Sequence, residues 1–168
     1  MRTNATSAGA LLLFAVLAGC WVEERPARVS GQDPAAASSV PEIEYIYPEG
    51  VARLPVFTPA VRVGDFLFLS GALGAVGTEL RVIEGGIGPE TRQTLTNIQT
   101  IIEAAGGTMR DMVKCTVFLA DINDYQAMNE VYLEFFPVNP PARSAMAASG
   151  LALGALVEIE CIARAPAR

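Results

Sequence analysis

Histidine is absent from this 168-residue chain, cysteine occurs three times and tryptophan once, and aromatic side chains make up 7% of the positions. Without imidazole the commonest general base and the usual zinc ligand are missing, so chemistry falls to carboxylates, Arg, Tyr, Ser and Cys, and no metal site is expected. Positive charge is scarce as well. Twelve Lys and Arg face eighteen Asp and Glu, a net charge of -6 with no basic cluster, which argues against nucleic acid as a partner. Apolar residues are plentiful at 51%, against 18% charged, and the length suits one domain with a sizeable core.

The first residues read as a targeting segment. Arg2 precedes the apolar run "AGALLLFAVLAGC" (8–20), too short to span a bilayer and ending in small residues, as a signal peptide over 1–19 would. Its end, Leu17-Ala18-Gly19-Cys20, resembles the bacterial lipobox, which implies cleavage before Cys20 and lipidation of that thiol. Trp21 rather than aspartate follows, which by the same resemblance favours the periplasmic face of the outer membrane. A lipid anchor is then the only membrane contact expected. An ordinary signal peptide with a chance cysteine is the alternative. Residues 20–42 mix charge with Pro, Ala, Ser and Gly without hydrophobic period and read as a tether, so the folded domain spans 43–168.

Within that domain, "AVRVGDFLFLSG" (60–71) predicts a hairpin turning at Val63-Gly64-Asp65, with a second strand from Phe66 to Ser70 that Gly71 ends. Pro89 suits the first position of a helix carrying Leu95, Ile98, Ile102 and Ala105 at helical spacing until Gly106-Gly107. "DMVKCTVFLAD" (111–121) predicts a buried strand. Asn123, three residues before Gln126, is a candidate cap for a second helix with a Tyr125, Met128, Tyr132, Phe135 stripe, ended by Pro137. Strands over 142–148 and 156–163 complete a β-β-α-β-α-β-β order, an α+β sheet with two helices on one face. The apolar run Val113–Leu119 then calls for a cover on the second face. No element remains to supply it, so another subunit is expected, with small-molecule clefts between copies.

The candidate site residues stand on that sheet. Glu158 and Glu160 share one side of a strand, about 7 Å apart, a spacing that fits a solvated edge as well as a site. Arg143 follows Pro140-Pro141, which restrict the backbone, and precedes a run of small uncharged residues. A guanidinium fixed in this way suits a carboxylate, bound through two parallel hydrogen bonds. Cys115 and Cys161 both fall on strands. A disulfide requires those strands to be neighbours, and the apolar flanks favour two buried free thiols.

The segment "PPARSAMAASGLALGALVEIECIA" (140–163) closely resembles the strand-loop-strand signature of the reactive-intermediate deaminase (YjgF-like) family, with glutamate fifteen residues after the arginine. "FLFLSG" (66–71) and "ETRQTLTNIQTIIEAAGGTMRDMVKCTVFLADINDYQAMNEVYLEFF" (90–136) extend the resemblance, which covers residues 43–166. It implies a chorismate-mutase-like α+β fold, a homotrimer with clefts between subunits, and hydrolysis of short 2-imino acids to 2-keto acids and ammonia without metal or organic cofactor. By the same resemblance Arg143 binds the substrate carboxylate, Glu158 orients or deprotonates water, and Phe57, Ser70, Gly71 and Ala145 complete the pocket. Many members have tyrosine at the position of Phe57 and cysteine at that of Ala145. A non-catalytic binder of small carboxylates is the alternative. The ribonuclease role attached to some relatives conflicts with the acidity.

Overall fold

A computed structural model describes residues 40–78 and 80–167. The expected signal peptide, the lipidation site at Cys20 and the tether up to residue 39 lie outside the described residues. The described strands are β1 (Ile43–Ile46), β2 (Ala60–Val63), β3 (Phe66–Leu73), β4 (Ala75–Val76), β5 (Arg81–Val82), β6 (Met112–Leu119), β7 (Ala142–Ala147) and β8 (Val157–Arg164). The helices are α1 (Ile87–Ala104) and α2 (Tyr125–Phe135). The main sheet runs β1-β2-β3-β8-β6-β7, while β4 and β5 form a separate ribbon. In the main sheet only β6 and β7 are parallel, as expected of two strands joined through a crossover helix.

Local chemistry accounts for most of these boundaries. Val63 pairs with Phe66, so the β2–β3 hairpin turns on Gly64-Asp65, and Gly64 takes the positive φ of 57° that such a turn requires. Gly71 does not end the second strand. β3 continues to Leu73 across a register shift between Leu69 and Ala72, a bulge that absorbs Ser70 and Gly71. Helix α1 starts two residues before the expected Pro89, which still lies in the first turn, where a missing N–H costs nothing. Asn123 is not the cap of α2: the Asp121 side chain accepts from its backbone N–H in a 3-10 turn, and α2 begins after Asp124. β1 and the ribbon carry no legible sequence signal, because such short strands leave too little pattern to read unless, as for β2, a glycine turn marks them.

Both helices cover one face of the sheet. Leu67, Leu69, Cys115, Val117, Leu119, Val157, Ile159 and Cys161 point into a core shared with Leu95, Ile98 and Ile102 of α1 and with Met128 and Tyr132 of α2. Each large side chain fully buried there contributes about 1.5–3 kcal/mol. The opposite face carries Phe66 and Phe68, half exposed, in register with Val63 and Val61 of β2 and with Arg164 and Ile162 of β8. Exposed Ile43, Tyr45 and Met146 extend this apolar surface.

Two further features hold the strands that matter below. The Glu90 carboxylate, 2% exposed, accepts hydrogen bonds from the Leu156 and Val157 amides at 2.7 and 3.2 Å and so pins the entry to β8. Gly74 packs so closely on Glu90 that a Cβ there would displace it. Cys115 and Cys161, expected as free thiols, are bonded to each other. They are directly opposed on the antiparallel pair β6–β8, where the apolar flanks bury the disulfide rather than separate the sulfurs. The bond closes a separation of 46 residues. Reduction should therefore lower stability by about 2–4 kcal/mol, read as a lower denaturant midpoint at fixed protein concentration with and without reductant.

Candidate functional site

Arg143 lies on the edge strand β7, where its Cα partner on β6 is the core residue Cys115, so it projects on the helix-covered side of the sheet. Its Nη2 donates to the Tyr125 hydroxyl at 3.1 Å, and its Cζ sits 4.6 Å from the Tyr132 ring centre and 5.5 Å from that of Tyr125. Aromatic faces orient a guanidinium without neutralising it. The pocket around it, about 420 Å³, also involves Gln126, Asn129, Leu133, Pro140 and Pro141. Two buried polar atoms there, Tyr132 Oη and Asn129 Oδ1, have no hydrogen-bond partner among the described residues. Such orphans cost roughly 1–3 kcal/mol each and call for a ligand, a water or a neighbouring chain. Burial pushes the Tyr132 phenol up to about 12 against the opposing pull of Arg143. Hydrogen bonds from Asn129 and then Arg143 lower the Tyr125 phenol below its usual value.

The second group sits on β3, β8 and the loop before β2. Glu158 is half-buried on the open face of β8, and its carboxylate lies so close to Gly71 that a Cβ there would overlap it. A larger residue at the bulge would push the carboxylate out of this position. Burial first, and repulsion from Glu160 second, raise the Glu158 carboxyl above its ordinary range. Ser70 ties the preceding loop in place, its hydroxyl donating to the Thr58 carbonyl at 2.7 Å and its amide to that of Pro59 at 3.0 Å. Phe57 on that loop, together with Ser70 and Gly71, lines a pocket of about 120 Å³.

These groups do not meet within one chain. Glu158 pairs with Phe118, which pairs with Met146, so Glu158 is level with a position three residues beyond Arg143 and separated from β7 by the whole of β6. Two strand spacings across and three residues along place the Cα atoms about 14 Å apart, with the side chains on opposite faces. Ala145 goes with Arg143, two positions along the same side and packed against the core. The residues expected to form one site thus divide into Arg143 with Ala145, and Phe57, Ser70, Gly71 with Glu158.

Tyr125, Asn129 and Tyr132 were missed as site residues, because the tyrosines read only as part of an apolar helix stripe. Their seven-residue spacing, two helical turns, was the available signal that both rings face one neighbour. Glu90 carried no signal, since nothing in the sequence says that two strand amides wait above it. Among the described residues no group of three or more acidic or cysteine side chains is arranged to hold a metal ion.

Comparison with known proteins adds the relationship. The family model described as Endoribonuclease L-PSP matches residues 51–165. A RutC family protein of Pyrococcus horikoshii is 40% identical over 121 residues, covering 71% of this chain and 96% of the relative. The 2-iminobutanoate/2-iminopropanoate deaminase of Capra hircus is 42% identical over 112 residues, covering 67% and 82%. The crystal structure of E. coli TdcF with bound serine superposes with a TM-score of 0.68 at 28% identity, covering 73% of this chain and 99% of that one. Fold, motif order and sequence agree: the chain belongs to the Endoribonuclease L-PSP family, the YjgF-like reactive-intermediate deaminases that its strand signature resembles.

Proposed function

We propose that the domain hydrolyses short 2-imino acids to 2-keto acids and ammonia in clefts completed by two copies of the chain. The observation that carries this reading is Arg143, held by two tyrosine rings beside the unpartnered Asn129 carbonyl oxygen and Tyr132 hydroxyl. A cation and an orphan hydroxyl side by side suit a carboxylate. Glu158, half-buried and raised above the ordinary carboxyl range first by burial and then by Glu160, is a stronger base than an exposed carboxylate and is the group placed to take a proton. The carboxylate and C2 of an imino acid are about 1.5 Å apart, so a cation and a carboxylate borne on Cα atoms about 14 Å apart and pointing to opposite faces of the sheet cannot serve the same small molecule. Arg143 of one copy facing Glu158 of the next removes that conflict, and burying the apolar open face against neighbours supports a homotrimer.

In the reaction, Arg143 holds the carboxylate of a protonated 2-imino acid and fixes C2 beside a water. Glu158 accepts a proton from that water as its oxygen bonds to C2. Glu158 returns that proton to the nitrogen, then takes the proton of the new C2 hydroxyl as the C–N bond breaks and the carbonyl forms, and passes it to the departing ammonia, so that ammonium and the 2-keto acid leave. No metal or organic cofactor takes part, because a protonated imine is already electrophilic. The domain acts in the bacterial cell envelope, anchored through lipidated Cys20 and facing the periplasm. A disulfide in the core supports an oxidising compartment of that kind. Phe57, which lacks the hydroxyl of a tyrosine, favours a second reading as a non-catalytic binder of small carboxylates, in which 2-keto acids bind in calorimetry and no imine is turned over.

Three outcomes test the proposal. Arg143→Ala should lower kcat/KM by about 10²–10⁴, the loss of two charge-assisted hydrogen bonds, in an assay where an amino-acid oxidase supplies the imine and keto-acid release is timed. Unchanged turnover refutes the assignment. Because Glu158 acts as carboxylate, kcat/KM should rise with pH as it ionises. Glu160→Gln removes a like charge, favours the ionised form and should move that acid limb to lower pH. Finally, Arg143→Ala and Glu158→Gln proteins, each inactive alone, should regain about a quarter of parental activity when unfolded, mixed in equal amounts and refolded, because one intact cleft needs one good residue from each copy.

A further inference from the structure

Two leucines have left-handed backbones, Leu80 at φ 55° and Leu153 at φ 59°, a region in which a Cβ is sterically disfavoured. They come from distant parts of the chain. Leu80 belongs to the turn joining β4 to β5, and Leu153 to the 3-10 turn Ala152–Gly154, against which β5, the strand that Leu80 directly precedes, is packed. Both residues line the same 120 Å³ pocket as Phe57, Ser70 and Gly71, Leu80 from a half-buried position and Leu153 from its exposed rim. Val51, Leu73 and Ile101 complete an aliphatic lining. Asn97, the one amide there, donates to the Leu73 and Ala75 carbonyls at 2.9 and 2.7 Å and accepts from Gln93 at 2.8 Å, so its polar atoms are engaged elsewhere.

Gly71 joins this pocket to the chemistry, since it lines the cavity and also lies against the Glu158 carboxylate. We propose that the pocket receives the side chain of the 2-imino acid and makes the enzyme selective for unbranched aliphatic imines of three or four side-chain carbons, with Leu80 and Leu153 setting the limit of length. This rests on the deaminase reading above. A dry cavity of about 150 Å³ accommodates benzene, so the volume here is enough for a butyl chain and leaves much of itself empty around a methyl group. Each buried methylene is worth about fourfold in binding, so a butyl side chain should be preferred over methyl by up to about 60-fold.

The test measures kcat/KM for imines generated by an amino-acid oxidase from alanine, 2-aminobutyrate, norvaline, norleucine and 2-aminooctanoate. The parent should rise about fourfold per methylene to norleucine and fall at the octanoate. Leu153→Gly, which suits the left-handed backbone and so should fold, should reduce the norleucine-to-alanine ratio by about five- to tenfold and restore the octanoate. A flat chain-length profile in the parent, or an unaltered ratio in the variant, overturns the inference. Calorimetry with pyruvate and 2-oxohexanoate separates the two proposals. If no imine is turned over but 2-oxohexanoate binds more tightly in the parent than in Leu153→Gly, the pocket stands and the deaminase reading fails. Equal affinity for the two keto acids sinks the pocket whatever the turnover.

Discussion

The Glu158 carboxylate resting on Gly71 is the contact on which the rest of this site depends. The half-buried acid lies where solvent cannot fully stabilise its charge, and in this position it would overlap any Cβ at the bulge of β3. The bulge in turn displaces Ser70, whose hydroxyl and amide tie down the loop carrying Phe57. On the other side, Glu90 anchors the first amides of β8 from the opposite layer. A buried carboxylate on one helix thus anchors the start of the strand that presents a second carboxylate to the open face.

Arg143 is built by a separate set of contacts. Its strand is at the sheet edge, its backbone direction follows from Pro140-Pro141, and its guanidinium is oriented by rings from α2. Because β6 intervenes and the side chains point to opposite faces, Arg143 and Glu158 are held apart within one protomer. The same sheet that separates them leaves an exposed apolar face, which under the function proposed above is covered by other copies of the chain.

Much of the architecture was legible because long elements repeat their pattern. The period of Leu95, Ile98 and Ile102 predicted α1 and the alternation over 157–163 predicted β8, both correctly to within two residues. Short elements without a neighbouring turn signal, β1 and the β4–β5 ribbon, were not legible, since so short a run carries no period, whereas the four residues of β2 were readable from the Gly64-Asp65 turn beside them. The end of β3 was misread for a different reason: glycine stops many strands, but here it permits a bulge whose purpose is a close approach from β8. The pairing of the cysteines was misjudged on similar grounds. Apolar flanks say that both sulfurs are buried and nothing about whether their strands are adjacent.

What the sequence by itself determined was therefore chemical and local: no imidazole, a net negative charge, one arginine behind two prolines, a glutamate on an alternating strand, and the order of helices and strands. These follow from residue types and short-range periodicity, which need no knowledge of the partners. Which face each side chain takes, which tyrosines reach the arginine, which sulfurs meet, and that two left-handed leucines share one cavity were decided only by tertiary structure. Register between strands far apart in sequence sets all four, and register is a property of the packed sheet rather than of any segment within it.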